Sequence, residues 1–199
     1  MIGVLVLVGA YLVGSIPVGV LVGRAYGVDV RAVGSGNIGT ANVLRTLGKT
    51  AGGLTLAGDF LKGFVPVLAA KYLAVGEPWE IGAGLAALVG ASYSVFLGFG
   101  GGKAVAASLG VLSALTPWMA LLGLLVYVPV VALSRYTSLG ALVTAAVLPV
   151  AAFFAYPRDL TPNRFQFVTL MAVLVVWRHR ENIRRLLAGT ERKLGQKAG

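Results

Sequence analysis

The chain has 199 residues, 57% apolar and only 12% charged, with a mean hydropathy of +0.85 and a net charge of +10. A soluble domain carries nearer a quarter charged residues, so the polar side chains here are too few to cover a globule in water, and the expected solvent is lipid. Cysteine is absent, which excludes disulfides, thiolate metal sites and cysteine nucleophiles.

Residues 1–23 hold no charge and exceed the roughly 20 helical residues that cross a hydrocarbon core. No Lys or Arg precedes them, so the segment reads as a retained helix and not a cleaved signal. Residues 24–49 are polar. The stretch 50–76 is apolar but carries Asp59, Lys62 and Lys71, and uncharged stretches follow at 81–102, 104–134, 136–157 and 165–177. The stretch 104–134 is long for one span and short for two, with Thr116-Pro117-Trp118 near its middle. The last stretch is short, and must either begin near Leu160 or lie where the membrane is thinned.

Splitting 104–134 at Pro117 gives seven spans and puts 24–49, 98–103, 134–136 and 178–199 on one side, with 13 Lys/Arg against 3 Asp/Glu. The other side holds 75–80, with Glu77 and Glu80, and 156–164, with Arg158, Asp159 and Arg164. Basic loops stay in the cytoplasm, which fixes the orientation. The expectation is an all-α integral membrane protein, 1–199 forming one polytopic domain. It has about seven transmembrane helices, an outside N-terminus and a cytoplasmic C-terminus, with 178–199 a basic tail. The whole excess of positive charge falls on the cytoplasmic segments, so no nucleic-acid partner is expected. The 28 glycines mostly suit closely packed membrane helices.

Three polar segments on that side have the makings of a site. In Gly34-Ser35-Gly36-Asn37-Ile38-Gly39-Thr40-Ala41-Asn42, glycines let backbone N–H groups converge on an anion, and Ser35, Asn37, Thr40 and Asn42 add neutral donors. Arg45 follows, able to pair bidentately with phosphate, and a helix over Asn42 to Leu47 would aim its N-terminus at the same ligand. Gly98-Phe99-Gly100-Gly101-Gly102-Lys103 is not a nucleotide-binding P-loop, since Ala104 stands where that loop needs a hydroxyl for magnesium. It still suits a phosphate held by backbone amides and one ammonium. The third segment, Trp177-Arg178-His179-Arg180-Glu181-Asn182, carries the only histidine; His179 and Asn182 share a helix face, and Glu181 is placed to tie down a neighbouring arginine. Within the 50–76 span, Asp59 and Lys62 are expected either to pair with each other or to join the polar site. An enzyme on phosphorylated substrates, a membrane carrier or receptor for an organic phosphate, and a lipid-binding protein with a basic tail each fit part of this pattern. Donors gathered at one face without an internal repeat favour the enzyme.

Taken together, Arg31 to Arg45, Asp59-Phe60-Leu61-Lys62-Gly63-Phe64, Gly98 to Lys103, Arg135-Tyr136 and Arg178 to Ile183 resemble the PlsY-type bacterial acyltransferases over nearly the whole chain. The resemblance implies seven spans in the bacterial cytoplasmic (inner) membrane, a cytoplasm-facing site, and acyl transfer from acyl phosphate to glycerol 3-phosphate, yielding lysophosphatidic acid for phospholipid synthesis. It implies Ser35, Arg45, Lys103, His179 and Asn182 as catalytic residues, and Gly34, Gly36, Asn37, Gly39, Asn42, Gly101 and Gly102 as phosphate- and substrate-binding ones. The family is thought to use no protein general base, the donor phosphate taking the hydroxyl proton; no cofactor or metal is implied. Membrane lipid is an expected partner and acyl-CoA is not an expected donor, since nothing resembles an adenine pocket or a His-x4-Asp motif. The sequence departs from the family at Ala91 and Ser94, where His and Pro are usual, and at Ala41, Ala104 and Ala107, where Thr, Gly and Thr are usual. The departures near residue 91 bear on acceptor identity and on activity itself.

Overall fold

A computed structural model describes residues 1–156 and 162–196, and among these the secondary structure is helical throughout. The first apolar run forms α1 (Ile2–Ser15) and α2 (Val18–Ala25), broken at Ile16-Pro17 because proline offers no backbone donor. At the break Ser94 Oγ donates to Ser15 O at 2.6 Å, and Lys62 Nζ donates at 3.4 Å to Ile16 O, which also accepts the Val18 N–H at 3.0 Å. A short α3 (Thr40–Leu47) precedes the 24-residue α4 (Lys49–Tyr72). Then come α5 (Glu77–Ser92), a 3₁₀ turn at Val95–Leu97, α6 (Val105–Leu115), α7 (Pro117–Ser134), α8 (Thr137–Ala155), α9 (Pro162–Arg178) and α10 (Arg180–Leu187).

Among the described residues, five helical segments are long and apolar enough to cross a membrane: Ile2–Ala25, Lys49–Tyr72, Glu77–Leu97, Pro117–Ser134 and Thr137–Ala155. The stretch 104–134 breaks at Thr116, with Pro117 at the first turn of α7, where its missing N–H is harmless. Lys71 Nζ donates to Ala114 O at 2.5 Å and so caps the end of α6. At 11 residues α6 reaches only about 16 Å, half a hydrocarbon core. Arg158, Asp159 and Leu160 lie outside the described residues; α9, starting at Pro162, extends the last apolar stretch by three residues.

Glycine lets the helices close on one another. A Cβ at Gly63 would strike the Ala107 carbonyl and one at Gly110 the Phe60 carbonyl, so α4 and α6 meet backbone to backbone. Gly14 on α1 does the same with Ala87 on α5. Leu88, Val111, Met119, Leu148, Phe167 and Val168 fill the centre between α5 and α9, whereas Leu5, Leu68, Leu125, Phe154 and Val173 stand on the outside, the arrangement expected when the surroundings are hydrocarbon.

The charged loops sort by end. Glu77 on α5 pairs with Arg164 on α9 at 2.6 Å. At the other end the Arg135 carbonyl, at the α7–α8 junction, and its guanidinium engage the tail, with Leu194 N donating to Arg135 O at 2.7 Å and Arg135 Nη2 donating to Leu194 O at 2.9 Å.

Candidate active site

The loop before α3 is built on itself. Gly34 and Gly36 have φ of +63° and +69°, a left-handed backbone that side chains disfavour. Gly34 also lies so close to Asn42 Oδ1 that a Cβ would collide with it. The Asn42 amide, buried to 1% exposure, threads this loop: Oδ1 accepts Ser35 N–H at 2.8 Å, and Nδ2 donates to Val30 O at 2.9 Å and Val33 O at 3.2 Å. Its donors are therefore spent on the loop and not open to a ligand, contrary to the sequence expectation. Asn37 Oδ1 accepts the Gly39 N–H at 2.9 Å, turning the chain into α3, which starts at Thr40, two residues earlier than expected. Thr40 Oγ1 and Arg45 Nε are buried without hydrogen-bond partners among the described residues.

The glycine-rich loop is held from two sides. Ser94 N–H donates to Gly100 O at 2.8 Å, a bond a proline there would lack, and Gly102 N–H donates to Ala91 O at 3.0 Å. Ala91 is buried. Lys103 then precedes α6 and makes no side-chain hydrogen bond or ion pair among the described residues. Loss of hydration lowers its ammonium pKa to about 8; Arg185 and Arg45 add repulsion that Glu191 and Glu181 partly offset. Burial, with Arg192 nearby, also presses the Arg45 guanidinium below its ordinary value, though arginine keeps its charge.

His179 sits at the break between α9 and α10, 2% exposed. Its Nδ1 lies 2.7 Å from Val175 O, and since a carbonyl only accepts, the proton is on Nδ1. Burial pushes its pKa down to about 4, so the ring is neutral and Nε2 is an acceptor. In the neutral form His179 can take a hydrogen bond from a hydroxyl.

Of the residues implied above as catalytic or substrate-binding, all except Gly36 and Gly101 line one cavity of about 660 Å³. Gly101 instead backs onto Ser92, where a Cβ would meet the carbonyl oxygen at 2.5 Å. The cavity has two characters. Its polar end gathers Ser35, Arg45, Lys103, His179 and Asn182, and its walls continue between α6, α7, α8 and α9 as Leu112, Tyr127, Val131, Ala145, Leu148 and Met171. Asp59 and Lys62 line it too while pairing at 2.8 Å, so the two expectations for them coexist.

Sequence reasoning missed Glu191, Arg185 and Ser138, which also line the cavity. Glu191 accepts from Asn182 Nδ2 at 2.6 Å, Ser138 Oγ at 2.7 Å and Arg185 Nε at 2.7 Å. Burial raises its pKa, but these bonds outweigh that and hold the carboxyl below its ordinary range. Glu191, not Glu181, ties down the neighbouring arginine: among the described residues Glu181 forms no ion pair. The available signal was that Glu191 is one of only seven acidic residues and, with Glu181, one of two in the basic tail.

Comparison with known proteins agrees with the character of this cavity. The family model for glycerol-3-phosphate acyltransferase matches residues 4–189. The glycerol-3-phosphate acyltransferase of Geobacter sulfurreducens is 50% identical over 92% of this chain and 93% of its own length, and that of Rubrobacter xylanophilus is 52% identical over 100% and 98%. Among solved structures, PlsY, an integral membrane glycerol 3-phosphate acyltransferase, superposes in its glycerol 3-phosphate form with a TM-score of 0.90 at 39% identity, covering 98% of this chain and 96% of PlsY. Its lysophosphatidic acid form gives 0.88 at 38% identity.

Proposed function

The chain belongs to the glycerol-3-phosphate acyltransferase family, and from that premise we propose that this membrane acyltransferase moves an acyl group from acyl phosphate to a hydroxyl of glycerol 3-phosphate, forming lysophosphatidic acid for phospholipid synthesis. The observation that carries this reading is a pair of half-buried cations, Arg45 and Lys103, without paired carboxylates among the described residues, at the polar end of a cavity that continues between α6, α7, α8 and α9 along mainly apolar side chains. Two phosphorylated head groups suit the cations and an acyl chain suits the walls.

In the proposed reaction the hydroxyl oxygen forms a bond to the acyl carbon, the bond from that carbon to the phosphate oxygen breaks, and the hydroxyl proton leaves with the phosphate. Arg45 and Lys103 neutralise the phosphate groups, the Ser35 hydroxyl and the uncommitted backbone amides of Gly34, Asn37 and Ile38 orient them, and His179 Nε2 accepts from the attacking hydroxyl. A histidine with a pKa of about 4 is too weak a base to take the proton outright, which supports assistance by the substrate phosphate. Asn182, fixed by Glu191, presents its Oδ1, buried and unpartnered among the described residues.

The working arrangement is one polytopic domain in the bacterial cytoplasmic membrane with seven crossings, N-terminus outside and site inside. The Glu77–Arg164 pair at one end and the Arg135–Leu194 contacts at the other support this sorting of loops. Membership of an acyltransferase family favours the enzyme over a carrier of the same ligands. The test is to give purified protein in detergent or lipid mesophase both substrates and follow phosphate release: turnover is expected, with acyl-CoA a poor donor, and release no greater than that of Arg45→Ala would refute the reading.

A further inference from the structure

Arg178 lies outside the cavity, yet it touches both segments that supply the cavity's polar end. Its Nε donates to Gly102 O at 3.0 Å and its Nη2 to Gly101 O at 2.9 Å, a two-pronged grip on adjacent carbonyls. The guanidinium carbon also lies 4.8 Å from the centre of the Tyr93 ring, whose hydroxyl accepts from Trp177 Nε1 at 3.0 Å. On its other side the Gly100–Gly102 segment is tied to the end of α5 through Gly102 N–H and Ala91 O. Lys103 follows this doubly held segment directly, and His179 follows Arg178 directly. The side chain therefore bridges the carrier of Lys103 to the carrier of His179.

We propose that Arg178 is a positioning residue that sets the spacing between Lys103 and His179 by clamping the Gly101 and Gly102 carbonyls. Three physical points support it. Glycine carbonyls have no side chain to anchor them, so the loop's placement depends on what its backbone groups bond. A guanidinium fork fits two adjacent carbonyls, which an ammonium cannot do with fixed geometry. And α9 is held independently, by Phe167, Val168 and Met171 in the central core and Ala172 and Val175 in a neighbouring cluster, so removing the Arg178 head group frees the loop and not the helix.

The kinetic half of the test rests on the proposed substrates, and the exchange half does not. In amide hydrogen exchange on purified wild type, Arg178→Ala and Arg178→Lys, both variants are expected to speed exchange in the 98–103 segment, with α4 and α5 unchanged. In turnover, both are expected to raise the KM for a phosphorylated substrate by about tenfold, the effect of a misplaced phosphate ligand. A merely structural loss removes active enzyme, lowering kcat while leaving both KM values alone. Unchanged exchange at 98–103, or Arg178→Lys behaving as wild type, would overturn the clamp. If Arg178→Ala does not fold, Arg178→Lys alone decides. Wild type without turnover would defeat the substrate assignment and leave the exchange result to judge the clamp.

Discussion

Lys62 and Lys103 are both largely withdrawn from water, and their treatment differs. Lys62 on α4 is 7% exposed, pairs with Asp59 at 2.8 Å and reaches the Ile16 carbonyl at the α1–α2 break, so its charge is answered within the fold. Lys103 has no such partner among the described residues, and beside it Arg45 leaves Nε unbonded. A buried charge is tolerated when paired, and an unpaired one is a standing cost that an anionic ligand removes. The first lysine therefore reads as architecture and the second as part of the proposed phosphate site.

The sharpest way to break this contrast is to remove each cation in turn. Arg45→Ala or Lys103→Ala should lower kcat/KM by about 10²–10³-fold or more, the usual loss for a preorganised charge contact, with a thermal midpoint near or above that of wild type. Lys62→Met should do the reverse, losing about 3 kcal/mol of stability because Asp59 is left buried alone, and the double change Asp59→Leu with Lys62→Met should recover most of it. Thermal unfolding in detergent alongside turnover per folded enzyme checks both; a stable, inactive Lys62→Met protein would erase the distinction.

A smaller effect should appear in the pH profile. With the Lys103 pKa near 8, its cation is present below that pH and lost above it, so kcat/KM should fall as pH rises through about 8. His179, near 4, is neutral throughout that range and adds no limb around pH 6 to 7. Lys103→Arg should remove the alkaline limb whatever it does to the rate. A limb that persists in that variant would assign the titration to another group.

How much of this could be read from sequence depends on whether the signal was local. Span-forming runs, the break at Pro117 and the cationic segments are properties of short stretches, and hydropathy and charge expose them. The Asn42 side chain looked like a ligand donor because residue type reports its capacity to bond and not where that capacity goes; only the fold showed it spent on Val30, Val33 and Ser35. The tautomer of His179 likewise depends on a carbonyl one turn back, at Val175. Glu191 was missed because its meaning comes from Ser138, 53 residues away, and from Asn182 and Arg185 across the end of α10. Long-range pairing of this kind leaves no periodicity to read.

The smallest expected effect concerns the residue after Lys103. Ala104 has φ of +55°, in the left-handed region, although it carries a Cβ. That conformation costs a non-glycine residue roughly 1 kcal/mol, and it stands where the family resemblance leads one to expect glycine. Ala104→Gly should therefore gain about 0.5–1 kcal/mol from relief of strain, reduced by the greater freedom of glycine in the unfolded chain. The same change would loosen the junction between Lys103 and α6, so a rise in stability should come with no gain in kcat/KM. Thermal midpoints and kinetics on the one variant separate the two effects. A loss of stability would mean that the Cβ, 8% exposed as part of Ala104 in the central core, contributes more by packing than the backbone loses by strain.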